Sequence, residues 1–154
     1  MTRPETAERA PIELTPMAPA HAPEVLALGQ RVYDTTVKPY TSWSLSAVAG
    51  HLDADAPACW VALDGGALAG FVLGSMGFDQ RADWGNLEWI ATAPAHQGRG
   101  VASRLVKACC ATLTEAGASA VVTDVESRNT ASAALMRRNG FTESVTVTLF
   151  VREA

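Results

Sequence analysis

The sequence of 154 residues has few cysteines, few charges and no long apolar run. Its three cysteines, Cys59, Cys109 and Cys110, are too few and too unevenly placed for a disulfide framework, and they lack the spacing of a zinc site. No apolar run reaches the roughly 18 residues that a membrane span requires. The formal net charge of −4 argues against a nucleic-acid binder, because such proteins usually carry a basic surface.

Repeats, linkers and export signals are also missing. The first ten residues are polar and lack the apolar segment of a secretion signal, so we expect a cytoplasmic protein. Hydrophobic residues make up 48% of the chain and charged residues 18%, which excludes a disordered protein. The length suits one domain. We expect a flexible leader over residues 1–11 and a single domain over residues 12–154.

Hydrophobic periodicity predicts helices and strands of a mixed α/β or α+β protein with helices packed on a sheet. Ser44 or Ser46 is the expected cap of the second helix, and Asn129 that of the fourth. Residues 77–85 are predicted to form a polar loop. The helices are expected over residues 21–31, 44–52, 101–116 and 130–138. The strands are expected over residues 12–14, 58–63, 67–76, 86–92, 120–125 and 145–151.

The segment 86–107 predicts a ligand site. Its strand ends at Pro94, a loop with Gly98 and Gly100 follows, and a helix begins near Val101. Glycine leaves the backbone bare, and the first turn of a helix offers unpaired N–H groups at the positive end of the helix dipole. We therefore expect a pyrophosphate group there. The pattern is neither the phosphate loop GxxxxGK[ST] nor the dinucleotide motif GxGxxG.

This segment resembles the GNAT superfamily of N-acetyltransferases. The six residues 97–102, QGRGVA, match the family motif Gln/Arg-x-x-Gly-x-Gly/Ala, and residues 90–94 resemble the family's fourth strand and its proline. Asn129 and the run Asn139-Gly140-Phe141 resemble the family's last helix and its exit. The resemblance covers roughly residues 12–152. It implies a mostly antiparallel central sheet with splayed strands 4 and 5, helices on both faces, acetyl-CoA as cosubstrate and no metal.

The resemblance also implies where acetyl-CoA binds: the pantetheine arm on strand 4, the pyrophosphate on the loop amides, and further contacts from the last helix. The residues assigned to acetyl-CoA are Ile90, Ala91, Thr92, Gln97, Gly98, Arg99, Gly100, Val101, Ala102, Ser103, Asn129 and Met136. The family's usual acid is a tyrosine seven residues after the asparagine, and here Met136 takes its place. Either the thiolate leaves without an acid, or Ser127, a water molecule, Tyr33 or Tyr40 substitutes.

Direct attack of an amine on a thioester requires a neutral amine, so a base has to remove its proton. Two carboxylates are candidates: Glu88 on strand 4, where many relatives keep a glutamate, and Asp124 on strand 5, where some do. Glu88 is the first candidate, because the shorter Asp124 side chain favours direct contact less, and the alternative for each is a solvated or hydrogen-bonded strand carboxylate. Because Glu88 alternates with Leu87 and Trp89, we expect it to point away from both.

The remaining polar and aromatic residues allow a less specific assignment. Phe78 and four residues assigned to substrate binding are expected to line an acceptor pocket, with core filling as the alternative. Those four residues are Tyr33, Tyr40, Trp43 and Trp84. We expect His51 on the surface and His96 in an exposed loop.

We therefore predict an acetyl-CoA-dependent N-acetyltransferase that acts on a primary amine by direct attack in a ternary complex. A small amine or an amino-acid-like molecule is the first candidate acceptor, and a protein amine is the second. The alternatives are a non-catalytic acyl-CoA-binding regulatory module, which Met136 suggests, and an interaction domain with a degenerate site. The apolar edge of the last strand predicts a homodimer. Nucleic acids and membranes are not expected partners.

Overall fold

A five-stranded sheet in the order β1-β2-β3-β4-β5 forms the centre of the computed structural model, which describes residues 11–154. The predicted leader, residues 1–11, lies outside the described residues except for Pro11. The elements are β1 (Glu13–Pro16), α1 (Ala22–Val32), α2 (Leu45–Leu52), β2 (Trp60–Asp64), β3 (Ala67–Phe78), β4 (Arg81–Thr92), α3 (Val101–Glu115), β5 (Ala120–Val122) and α4 (Thr130–Arg138). None of these helices is long and apolar enough to cross a membrane.

Neighbouring strands are antiparallel, except that β4 and β5 are parallel. Each face of the sheet packs on its own helices: Leu105 of α3 lies in one buried cluster with Val72, and Leu28 of α1 lies in the other with Phe71. Successive residues of β3 reach opposite clusters because alternate side chains of a strand point to opposite faces. Full burial of such a side chain stabilises the fold by about 1.5–3 kcal/mol. The predicted mixed sheet with helices on both faces is confirmed.

The predicted polar loop over residues 77–85 is wrong. There β3 and β4 continue as a two-stranded ribbon that turns at Asp79 and Gln80, with Phe78 paired with Arg81. The Phe78 and Trp84 rings stack with centroids 6.4 Å apart, and the Arg81 guanidinium lies 4.5 Å from the Trp84 centroid. A ribbon that projects beyond the core is solvated, so its sequence shows no apolar alternation that a prediction could use.

The strand predicted over residues 145–151 does not form. After α4, residues 139–154 pair with no strand among the described residues 11–154, and Val147 and Phe150 are 81% and 90% exposed. Alternating apolar residues form a strand only beside another strand that pairs with their backbone groups. The last strand of the sheet, β5, also has no described neighbour on its outer side.

β4 and β5 pair briefly and then separate. Their three pairs are Trp84 with Ala120, Gly85 with Val121 and Asn86 with Val122. Beyond that point β4 continues to Thr92 on its β3 side, whereas β5 ends. The predicted splay of strands 4 and 5 is therefore present, and it leaves a gap beside the second half of β4.

Candidate active site

The loop before α3 forms one wall of a cleft of about 450 Å³. Gly98 and Gly100 have φ values of +76° and +73°, and a Cβ on either would meet no atom within 4 Å. These backbone conformations favour glycine, and the space beside them is open. Gly100 precedes α3 without a capping side chain, and the first helical hydrogen bond runs from the Arg104 N–H to the Gly100 carbonyl. The preceding amides therefore have no partner within the helix and can bind an anion.

The other walls of this first cleft come from β4 and α4. Except for Arg99, Asn129 and Met136, every residue assigned to acetyl-CoA lines it. The lining residues are Ile90, Ala91, Thr92, His96, Gln97, Gly98, Gly100, Val101, Ala102, Ser103, Ala131, Ser132, Leu135 and Arg138. The sequence motif and the cleft thus coincide along the strand and the loop.

Three assigned residues make other contacts. Arg99 Nη1 lies 3.6 Å from Asp64 Oδ2. Asn129 Oδ1 accepts a hydrogen bond from the Ser132 N–H at 3.1 Å and caps α4, as expected of it, while Met136 is buried in the core beneath α3. The structure gives these side chains structural contacts outside the lining of the cleft.

On α4 the residues that line the cleft are Ala131, Ser132, Leu135 and Arg138 rather than Met136. Their i, i+1, i+4, i+7 spacing is that of one helix face, so the sequence contained the signal that could have identified them. His96, expected as an exposed loop residue, also differs: its Nε2 lies 2.9 Å from Asp64 Oδ2 and its side chain is mostly buried.

A second cleft of about 540 Å³ lies on the α2 side of the sheet, where β4 and β5 separate. Glu88 and Asp124 both line it, and each lies two residues beyond the last β4–β5 pair, Asn86 with Val122. Hydroxyl groups from the segment before and within α2 line the opposite side. The lining residues are Lys38, Tyr40, Thr41, Ser42, Ser44, Ser46, Ala47, Phe78, Asn86, Glu88, Trp89 and Asp124.

Glu88 lies at a β-bulge. Leu73 pairs with Trp89 but Gly74 pairs with Leu87, so Glu88 is an additional residue on β4. Leu87 packs beneath α3, whereas Trp89 packs with the α1 and α2 cluster. The expectation that Glu88 points away from both neighbours is therefore wrong for Trp89, which shares the second cleft with it. The bulge breaks the alternation on which that expectation relied.

The sequence analysis placed His51 on the surface, whereas the structure places it beside the candidate base Glu88. His51 is only 7% exposed on α2, with Nε2 2.8 Å from Glu88 Oε2 and Nδ1 2.9 Å from Ser75 Oγ. A carboxylate only accepts, so Nε2–H donates to Glu88, and in the neutral ring Nδ1 accepts from the Ser75 hydroxyl. The hydrogen bond from His51 is the main reason that the pKa of Glu88 is lowered, against the burial that raises it.

Asp124 anchors the segment before α2. Lys38 Nζ lies 3.2 Å from Asp124 Oδ2 and donates to the Asp124 carbonyl at 3.2 Å, and the Tyr40 hydroxyl donates to the same Oδ2 at 3.2 Å. Burial first, and then the Asp124 charge, raise the pKa of Tyr40. The Asp124 charge also acts on Glu88, whose pKa it raises slightly. The two carboxylates are therefore electrostatic neighbours.

Of the four aromatic residues assigned to the acceptor pocket, Tyr40 alone lines the second cleft among residues 11–154. Tyr33 and Trp43 pack in the core: the Tyr33 and Trp89 centroids are 4.8 Å apart, and Trp43 stacks on Phe71 at 5.4 Å. Trp84 stacks on Phe78 in the ribbon. Core filling thus describes Tyr33 and Trp43, and burial raises the pKa of Tyr33, which makes it a poor proton donor.

The cysteines do not provide a nucleophile. Cys59 and Cys109 are buried and Cys110 is partly buried, and burial raises the pKa of all three thiols, that of Cys59 to about 11. A thiol that stays protonated at neutral pH is unreactive. Within residues 11–154 no group of three or more His, Cys, Asp or Glu side chains is arranged to hold a metal ion.

Comparison at the level of families gives one match. The model of the family described as "Acetyltransferase (GNAT) family" matches residues 27–141, which is most of the chain. No curated protein matches the sequence significantly.

Solved acetyltransferase structures have the same fold. The aminoglycoside N-acetyltransferase AAC(6')-Iy, in complex with a bisubstrate analog of CoA, superimposes with a TM-score of 0.77 at 22% identity over 94% of this chain and 100% of that chain. AAC(6')-IG from Acinetobacter haemolyticus superimposes with a TM-score of 0.73 at 20% identity, over 92% of this chain and 99% of that chain. The ribosomal-protein-S18-alanine N-acetyltransferase from Escherichia coli superimposes with a TM-score of 0.72 at 20% identity, over 88% of this chain and 80% of that chain. At such identities the likeness shows the fold alone.

Proposed function

The chain belongs to the acetyltransferase (GNAT) family, and from this premise we propose that it transfers the acetyl group of acetyl-CoA to the primary amine of a small molecule. The transfer is a direct attack in a ternary complex. One observation carries the proposal: two clefts on opposite sides of the sheet are lined by adjacent residues of β4, Ile90 in the first and Glu88 and Trp89 in the second. One has an uncapped helix terminus behind a glycine loop, and the other has two carboxylates.

The first cleft has the chemistry to bind coenzyme A. Its loop amides lie at the positive end of the α3 dipole and suit the pyrophosphate, with Arg138 as a nearby cation. The edge of β4 from Ile90 to Thr92, left open where β5 ends, offers backbone groups to the amides of the pantetheine arm. The first cleft therefore directs the thioester towards the point where β4 and β5 separate.

The Gly100→Asp variant tests this assignment. Its carboxylate would face the pyrophosphate, and like charges about 4 Å apart repel by about 1–4 kcal/mol, so affinity for acetyl-CoA should fall by a factor between about 5 and about 700. Calorimetric titration measures the change. Gly117→Asp, at the opposite end of α3, is the matched control, because Gly117 also has a positive φ and open space around it. Unchanged affinity in Gly100→Asp, or an equal loss in both variants, would contradict the assignment.

The second cleft has the chemistry to bind a cationic acceptor. The Glu88 and Asp124 carboxylates attract a protonated amine, and the serine and threonine hydroxyls offer hydrogen bonds to a polar molecule. A small amine or amino-acid-like molecule is the first candidate. Among the similar structures, those named as aminoglycoside acetyltransferases act on small molecules and the S18 enzyme on a protein. A protein amine is therefore the second candidate.

Glu88 is the proposed base, directly or through a water molecule, because its carboxylate faces the cleft at the β4 bulge. His51 donates a hydrogen bond to that carboxylate, and Ser75 bonds to the other nitrogen of the His51 ring. A backbone N–H of β4 is the proposed donor to the oxyanion. Among the proposed substitutes for the missing tyrosine, Tyr40 is the side chain that lines the second cleft. The alternative is that no acid is needed, because the conjugate thiol has a pKa near 8.5 and its thiolate is a good leaving group.

The deciding experiment combines acetyl-CoA titration with a screen for thiol release against pooled amines. Binding with thiol release for one pool supports the enzyme and begins to identify the acceptor. Binding without release from broad pools favours the non-catalytic acyl-CoA-binding module, for which the substitution at Met136 remains the argument. Absence of binding would contradict the assignment of the first cleft.

We further propose that the protein is a cytoplasmic homodimer. Its three free cysteines suit a reducing compartment. The apolar side chains after α4 are exposed, and the outer edge of β5 has no described neighbour, so a second copy supplies the missing contacts.

A further inference from the structure

Lys38 places an amine of the chain itself in the second cleft, which is the proposed acceptor cleft. Its side chain is 27% exposed, and its Nζ contacts both the Oδ2 and the backbone carbonyl of Asp124 at 3.2 Å. Lys38 lies in the irregular segment between α1 and α2 and lines the same cleft as Glu88. The cleft thus already contains the type of group that it is proposed to acetylate.

The position of Asp124 relates this amine to the thioester. Asp124 and Glu88 each lie two residues beyond the last β4–β5 pair, and the Asp124 charge acts on Glu88. The first cleft, proposed for the coenzyme, begins on β4 at Ile90, the residue after the Glu88–Trp89 pair that lines the second cleft. An ammonium group held by Asp124 is therefore held where the two strands separate, which is the end of the path proposed for the thioester.

We propose that Lys38 is a self-acetylation site, whose Nζ attacks the thioester of bound acetyl-CoA when no external amine occupies the cleft. This inference rests on the proposed function. The lysine side chain suits the role because its ammonium sits on a flexible four-carbon stem, which allows a short movement from Asp124 to the acyl carbon.

The step balances as an ordinary acyl transfer. The Lys38 ammonium gives one proton to Glu88 and becomes a neutral amine, which forms a C–N bond to the acyl carbon. The C–S bond breaks, and the thiolate of coenzyme A takes the second proton that the nitrogen loses. The products are N-acetylated Lys38, free coenzyme A and one proton, which passes from Glu88 to solvent.

Acetylation changes the cleft. The neutral amide no longer pairs with Asp124, so the charge that fastens the segment before α2 to the end of β5 is lost. Asp124 then becomes available to a cationic acceptor. Unmodified Lys38 competes with such an acceptor for the same carboxylate.

The chain offers an internal control, because Lys38 and Lys107 are its only lysines. Lys107 is exposed on α3 and lies outside both clefts. Chemical acetylation by acetyl-CoA in solution favours the more exposed amine, whereas acetylation within the cleft favours Lys38. Purified full-length protein is incubated with acetyl-CoA, and intact mass and peptide mapping follow each lysine over time.

We expect one acetyl group on Lys38, gained as a first-order process whose rate does not depend on protein concentration. Lys38→Arg should abolish it and Lys107→Arg should not. Glu88→Gln should slow it by about 10²–10⁴-fold without affecting the slow labelling of Lys107, because a general base typically contributes that much.

Other outcomes overturn the inference. These are equal labelling of the two lysines, labelling of Lys38 that is insensitive to Glu88→Gln, or a rate that rises with protein concentration, which would mean reaction between copies. If Lys38 stays unmodified while the same sample binds acetyl-CoA and acetylates a free amine, the inference fails and the proposed function stands. If the sample does not bind acetyl-CoA, both fail.

Discussion

At the scale of single residues, the Glu88 carboxylate is shaped by opposing influences. Its hydrogen bond to His51 stabilises the ionised form and lowers its pKa, while partial burial and the Asp124 charge raise it. The lowered pKa keeps Glu88 ionised throughout the neutral range. An acceptor alkylamine, with an ordinary pKa of about 10, is instead mostly protonated there, so the amine dominates the pH dependence near neutrality.

The pH profile of the rate separates the roles of Glu88 and His51. Glu88→Gln removes the base and should lower kcat by about 10²–10⁴-fold across pH 6–9. His51→Ala keeps the base but removes the bond that favours its ionised form, so the pKa of Glu88 rises and the acid limb of kcat/KM moves to higher pH.

Ser75→Ala is the matched control for His51→Ala, because it leaves the Glu88 contact in place and should move the acid limb less. An unchanged acid limb in His51→Ala would mean that His51 only supports the fold. A full rate in Glu88→Gln would transfer the role of base to Asp124, with Asp124→Asn as the next variant.

The glycine loop was predictable residue by residue, whereas the setting of Glu88 was not. Gly98 and Gly100 could be assigned from the sequence because two closely spaced glycines just before a helix form a short motif. The structure gives both a positive φ. The bonds of His51 reach residues 24 and 37 positions away in the sequence. No local pattern encodes such contacts, since they depend on how α2 packs on β3 and β4.

At the scale of elements, α1 approaches the next segment closely at one glycine. A Cβ on Gly29 would lie 2.1 Å from Trp43 Cε2, while the Trp43 indole N–H donates to the Leu26 carbonyl at 2.9 Å. The bare backbone of Gly29 therefore lets Trp43 pack flat against α1. This packing fixes the start of the segment that leads into α2.

Two glycine substitutions test this packing with opposite signs. Gly29→Ala should destabilise the fold by about 1–3 kcal/mol because the methyl group overpacks against Trp43. Gly50→Ala, in α2 with nothing within 4 Å of its Cβ, should stabilise it by about 0.4–1 kcal/mol because alanine loses less entropy on folding. Urea unfolding compares both with the parent protein. Equal stability of the two variants would contradict the Trp43 contact.

Element ends that have a cap were predicted well. Ser44 accepts from the Ala47 N–H before α2, and Asn129 caps α4. The Phe78–Arg81 turn was missed because the ribbon is held by pairing between strands and by the stack on Trp84. The β4 bulge is likewise invisible in the sequence, because Glu88 becomes additional only relative to the register of β3.

At the scale of the whole molecule, the order of elements and the two-sided packing of the sheet were predictable, because the helices and most strands have clear periodicity. The tail after α4 was not. The apolar spacing of Val145, Val147 and Leu149 predicts a strand. A strand forms only where its backbone groups bond to a neighbouring strand, and the described residues of the single chain provide no such neighbour.

The proposed homodimer makes a prediction for this tail. Val147→Asp should shift the protein from dimer to monomer, because a charge replaces an apolar side chain that a second copy would cover. Light scattering coupled to size exclusion measures the change over a range of concentrations. Thr146→Asp adds the same charge at the adjacent, polar position of the alternation and should disturb the dimer less. A parent protein that is monomeric at all concentrations would contradict the proposal.

The bulged segment of β4 has a consequence for how the two ligands bind. Glu88 and Trp89 line the second cleft and Ile90 lines the first, so the two proposed ligands lie against adjacent residues of one strand. With acetyl-CoA and the amine bound as proposed, any coupling through this segment is reciprocal: the factor by which one ligand changes the affinity of the other applies equally in the reverse direction. The segment of β4 from Glu88 to Ile90 thus contributes residues to both proposed binding sites, and a movement of this segment would affect the binding of both ligands.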